Sequence, residues 1–151
     1  MINNKPFLYH GSGYLHNELK PGFKHSGKII RWDVTESNKW LYASTELEVV
    51  KQLGFSSAVA QRWNLKEFHS DKKSLSFIFP PGVEVSLEEI YELDVYIYTI
   101  IPSTEDNWIK NTNEHNHLDS EWKTTNTVKN IKSIEKLDIK NWLKKYKIDI
   151  E

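Results

Sequence analysis

Apolar residues along this chain fall in short runs broken by polar tracts. The run Phe7-Leu8-Tyr9 predicts a strand that ends on His10-Gly11. Gly13–Leu19, with Tyr14, Leu15 and Leu19 apolar, reads as a short helical turn stopped by Lys20-Pro21-Gly22. Phe23–Lys39 keeps no period, which predicts a long loop. Trp40–Ala43 predicts a second short strand. Thr45 and Glu48 have capping-box spacing, so a helix is expected from Glu46. Leu47, Val50, Ala58 and Arg62 keep a rough helical period, and Gly54 is expected to break or kink it. Leu65–Lys73 is polar and loop-like.

Leu75–Phe79 predicts a third strand, ended by Pro80-Pro81-Gly82. Glu84–Leu93 predicts a short helix with Ser86 as its cap and Glu88 and Glu89 in its first turn. Asp94–Ile101 is the densest run of β-branched and aromatic residues, expected as a strand buried on both faces. Pro102–Leu118 is polar, interrupted by Trp108 and Ile109. Ser120–Lys123 reads as extended, and Val128, Ile131, Ile134 and Leu137 support a last strand. Ile139, Trp142, Leu143 and Tyr146 fall at i, i+3, i+4 and i+7, which predicts a closing amphipathic helix. The chain contains neither internal repeat nor linker, so one α+β domain over residues 1–151 is expected.

Composition narrows the chemistry. Apolar residues make up 38% and charged ones 27%, as in folded soluble proteins rather than disordered ones. A formal charge of −1, with Arg31 and Arg62 the only arginines, argues against bulk attraction of nucleic acid and against an arginine cluster for phosphate or guanine. After Lys123 the lysines outnumber the acids, which reads first as a solvated surface and second as a weak nucleic-acid face. The absence of Cys excludes thiol nucleophiles and Cys-based zinc sites. Neither a hydrophobic leader nor an apolar run long enough for a bilayer is present, so a cytoplasmic protein is expected. His115 and His117, with Glu114 or Asp119, are a weak candidate metal cluster set against an expectation of no metal.

A strand that stops on His10-Gly11 offers an imidazole beside a backbone without a Cβ, where a flat amide-bearing molecule can bond the main chain. The plain alternative is a strand end with His10 bonded to a carbonyl. Gly11-Ser12-Gly13 lacks the third Gly and the following helix of a phosphate loop.

Three motifs in order, Tyr9-His10-Gly11, Leu41-Tyr42-Ala43-Ser44 opening a helix, and Ser120-Glu121-Trp122 entering a strand, resemble the His-Tyr-Glu pattern of the ADP-ribosyltransferase fold. That is the type of diphtheria toxin and the poly(ADP-ribose) polymerases. Leu19-Lys20-Pro21-Gly22 is also similar to the rifampicin-modifying ADP-ribosyltransferases. The resemblance implies two small, mainly antiparallel sheets around an NAD cleft with flanking helices. It implies transfer of ADP-ribose from NAD to a macromolecule, protein or nucleic acid, with Glu121, His10 and Tyr42 as catalytic residues. His10, Gly11, Ser12, Tyr42, Ser44 and Phe55 would bind NAD, the substrate.

This sequence departs from the family at several points. The position of a second stacking aromatic falls at Leu53, with Phe55 the nearest ring. The small hydroxyl residue of the polymerases falls at Val50, with Ser44 as a substitute. Asp119 stands two before Glu121, where arginine-modifying relatives carry Glu or Gln. The 103–119 tract lies where relatives place a target-recognition loop, so Trp108 is a candidate partner contact. Roles as toxin, viral effector or housekeeping enzyme are all compatible. A non-catalytic module of the same fold, binding NAD, ADP-ribose or a protein, is the alternative, followed by an interaction protein of unrelated α+β fold.

Overall fold

Strand β5 (Tyr96–Ile100) is an interior strand covered on both faces: Ile97 enters one hydrophobic cluster while Tyr98 and Ile100 enter another. The computed structural model describes residues 5–21, 40–110 and 120–151. Around β5 stand β1 (Leu8–Ser12), β2 (Leu41–Ser44), β6 (Ile109–Lys110), β7 (Glu121–Thr124) and β8 (Ile131–Lys136). They form a six-stranded sheet in the order β6-β7-β2-β1-β5-β8, antiparallel at each pairing. A second sheet of three strands has the order β3-β4-β9, from β3 (Glu67–Ser70), β4 (Ser74–Ile78) and β9 (Lys147–Ile150), with β4 and β9 parallel. The fold is therefore α+β with two mainly antiparallel sheets and few helices. The larger sheet exceeds the small size expected of it.

Helix α1 (Leu47–Trp63) lies between the sheets and serves both. Its 48/52/55/59 stripe turns to the smaller sheet and to α3 (Ile139–Leu143), where Phe55 meets Phe77 and Trp142 edge-on. Its 50/54/57 stripe faces β1 and β2 of the larger sheet. The short α2 (Leu87–Tyr91) is held by a Ser86–Glu89 capping box, as the Ser86 cap predicts. The first cluster lies between α1, the smaller sheet and the near face of the larger one. The second, with Leu8, Leu19, Leu41, Ala43 and Val128, lies on the far face.

Several expectations change. Residues 13–19 form no helical turn, because buried Leu19 pairs with Val128 in an extended bridge, with N–H···O bonds of 2.9 and 2.8 Å. The Thr45–Glu48 box does not form. Glu48 instead accepts from Trp142 Nε1 at 2.8 Å, Tyr146 Oη at 2.5 Å and Lys145 Nζ at 2.5 Å. Helix α1 runs through Gly54 without a break. The polar 65–73 stretch contains β3, whose Phe68 alone needs a core face. The chain's closing helix stops at Leu143, and β9 follows. The 23–39 loop and the His115/His117 cluster with Glu114 and Asp119 lie outside the described residues.

Candidate functional site

Register decides which side chains meet. Tyr9 is opposite Ser44, and Ser44 is opposite Glu121, so these three form one row across β1, β2 and β7. Tyr42 and Lys123 form the next row on the same face, because side chains alternate with period two. Leu41 and Ala43 turn to the far-face cluster instead. Glu121 therefore faces α1 from a strand remote from it in sequence.

Strands β1 and β2 share one registered pair, Tyr9 with Ser44, and β1 is otherwise paired to β5. Beyond that pair a side chain bridges the two: His10 Nδ1 lies 2.6 Å from the Tyr42 carbonyl. A carbonyl can only accept, so Nδ1 donates, and Nε2 is the acceptor nitrogen of the neutral ring. Burial holds the His10 pKa below the ordinary imidazole value, opposed by the Tyr42 carbonyl and reinforced by His16. Alternation places the His10 ring on the far side of the pleat from Glu121, tilted against Tyr98 with centroids 6.1 Å apart. It borders the pocket from within the split, and the carbonyl bond is the plain reading of a strand-end histidine.

Helix α1 closes the other wall. A Cβ built on Gly11 would lie 2.9 Å from the Val50 carbonyl oxygen and 3.0 Å from Gly54 Cα. The strand and helix backbones touch there because neither residue has a side chain. Beside this contact is a cavity of about 350 Å³. His10, Gly11, Tyr42, Ser44 and Glu121 border it, as do Val50 and Leu53 of α1. The smaller sheet contributes none of its described lining, so the cleft is walled by one sheet and one helix rather than by two sheets.

Two proposed NAD contacts lie elsewhere. Phe55 is fully buried in the core: with α1 unbroken at Gly54, it stays on the stripe facing the smaller sheet. A ligand in this cavity cannot stack on it. Ser12 is buried outside the cavity lining, and its Oγ accepts from Tyr14 N at 3.1 Å. Ser44 borders the cavity, but its hydroxyl is engaged, accepting from Glu46 N at 3.0 Å and donating to Ser120 Oγ at 2.9 Å. Trp108 packs against the far-face cluster and donates to Asp106 Oδ2 at 3.3 Å, so it belongs to its own domain. Sequence reasoning missed Gly54 and Ser57; an unbroken helical period from Val50 would have found both.

Among the described residues no group of three His, Asp or Glu could hold a metal ion, and no helix is long and apolar enough to cross a membrane. No family model, curated protein or solved structure matches this chain.

Proposed function

We propose that the protein is an NAD-dependent ADP-ribosyltransferase acting on a macromolecule in the cytoplasm. One observation carries the reading: Gly11, Tyr42 and Glu121, on three strands distant in sequence, border one cavity with His10 at its edge. In this reading the Gly11 main chain bonds the nicotinamide amide, and the Tyr42 ring lies against the nicotinamide. His10, its ring on the far side of the pleat, acts on the site only through its bond to the Tyr42 carbonyl, which holds β2 beside Gly11. The bond from ribose C1′ to nicotinamide nitrogen breaks with its electron pair leaving on nicotinamide. The Glu121 carboxylate stabilises the ribosyl cation that develops. A nucleophilic oxygen or nitrogen of the acceptor then bonds C1′ and loses its proton to solvent. With Trp108 folded inward, Ile109, 42% exposed on the edge strand β6, is the described residue of the 103–119 segment best placed to meet that acceptor.

The test compares nicotinamide release and NAD binding in wild type, Glu121→Gln and Tyr42→Ala, with cell lysate as the source of acceptor. Glu121→Gln should lower turnover by about 10²–10³-fold and leave binding nearly intact, because its contact strengthens only in the transition state. Tyr42→Ala should weaken binding by about 0.5–1.5 kcal/mol, plus whatever burial is lost. Equal turnover in Glu121→Gln and wild type would refute the assignment. A second reading, a non-catalytic module for NAD or ADP-ribose, is favoured by the half-exposed Leu53 where a second stacking ring is expected. Wild type that binds NAD and releases no nicotinamide selects it.

A further inference from the structure

Glu121 opens β7, and the residue before it is buried. Ser120 is 9% exposed and Ser44 is 2% exposed, although neither has an apolar side chain. Their hydroxyls are bonded to each other at 2.9 Å, and Ser44 Oγ also takes the Glu46 N–H at 3.0 Å. The Thr45 N–H bonds the Ser120 carbonyl at 3.0 Å, which carries the β2–β7 ladder one step beyond the Ser44–Glu121 pair. The start of β7 is thus fastened to the β2–α1 junction by two bonds, one through side chains and one through the main chain. Neither depends on the Glu121 carboxylate.

We infer that Ser44 and Ser120 are positioning residues that act through Glu121, fixing its carboxylate relative to the Gly11–Gly54 wall. The inference rests on the reading of Glu121 given above. A buried hydroxyl pair is costly unless it is bonded, so the pair selects one placement of β7 against β2. Ser44 serves in this way instead of as a nicotinamide ligand. Either Ser→Ala change leaves its partner hydroxyl without that bond and loosens the first residue of β7. A shift of about 1 Å at a reacting group can lower a rate by about 10²-fold.

The experiment is a set of thermodynamic cycles on the full chain. Ser44→Ala, Ser120→Ala and the double variant are each made with Glu121 intact and with Glu121→Gln, and folding is checked by circular dichroism. With Glu121 intact, each single change should lower nicotinamide release by about 10–10²-fold with NAD affinity retained. The double change should add little to Ser44→Ala, because both variants lose the same Ser44–Ser120 bond, and should exceed Ser120→Ala only by the loss of the Glu46 N–H bond. In the Glu121→Gln background the same changes should have no effect on the residual rate. Equal losses in both backgrounds, or full turnover in Ser120→Ala, would overturn the inference and leave the NAD reading standing. Wild type that releases no nicotinamide defeats the catalytic reading. Fastening is then decided by ¹³C-carboxyl glutamate spectra, with the Glu121 resonance identified from Glu121→Gln. A resonance that moves in Ser120→Ala and in Ser44→Ala supports the clamp, and one that stays in place overturns it.

Discussion

Gly11→Ala should be the most damaging Gly→Ala change among the described glycines, and the contacts show why. Alanine is intrinsically better than glycine in regular structure by about 0.5–1 kcal/mol, so the new methyl starts with a gain. At Gly11 that methyl would meet the Val50 carbonyl oxygen at 2.9 Å and Gly54 Cα at 3.0 Å. Both atoms belong to the backbone of a 17-residue helix, so neither can rotate away. The helix must lift off the sheet, and overpacking of this kind typically costs 1–3 kcal/mol; with rigid contacts the net loss should be about 2 kcal/mol. For a chain of this size that corresponds to a fall of about 4–8 °C in melting temperature. Gly54→Ala is the control. Its methyl meets Gly11 Cα at 3.1 Å and the Val95 Cγ1 at 3.3 Å, and a valine side chain can give. The helix also gains about 1 kcal/mol from alanine, so the net change should be smaller than at Gly11. Calorimetry and urea melts of both variants measure this. An unchanged melting temperature in Gly11→Ala, or a larger loss in Gly54→Ala, would refute the close-contact reasoning.

Two further outcomes concern titration. The His10 pKa is lowered in the fold, so the folded state takes up its proton less readily than the unfolded one; stability should fall as pH drops below the ordinary 6.5 toward the folded value. NMR titration of the His10 ring should give a midpoint below 6.5, and a midpoint above it would contradict the burial argument. Burial opposes ionisation of Glu48, but the bonds from Lys145, Tyr146 and Trp142 prevail and hold its pKa below 4.5. It therefore contributes stability above that value, lost as pH falls through the folded pKa. Glu48→Ala should destabilise by about 1–3 kcal/mol by stranding its donors, and Glu48→Gln by less, because an amide oxygen still accepts. Acid unfolding of wild type should be steeper than that of Glu48→Gln, and identical acid profiles would count against the network.

What could be read from the sequence was what local chemistry decides. The Ser86 cap, the double-faced strand at 96–100 and the order of the His10, Tyr42 and Glu121 motifs each depend on a few adjacent residues. Thr45 and Glu48 have equally good local spacing, yet Trp142, Tyr146 and Lys145 take the Glu48 carboxyl. That competition arises from residues nearly a hundred positions away, which no local pattern contains. Gly54 misled for a related reason: its low helix propensity was legible, while its contact with Gly11 is tertiary. Strand β3 offers a single inward aromatic, and β9 follows directly on a helical period that Tyr146 prolongs in the sequence while lying past the helix end, its ring packed on Trp142. The hydroxyl pair of Ser44 and Ser120 joins two segments whose types, taken singly, describe any turn.

The parallel pairing of β4 with β9 bears on the order in which the protein can fold. Ser74 lies opposite Lys147, so roughly half the chain separates the partners. That intervening half carries α2 and α3 and the strands β5 to β8 of the other sheet. The hairpin of β3 and β4 can close early and locally, whereas its third strand must wait for a large loop to be ordered first. Leu75 and Phe77, fully buried in the finished core, keep one strand edge open throughout that interval. A β3–β4 hairpin formed ahead of β9 would present an apolar face and an open edge, which the pairing of β9 with β4 closes.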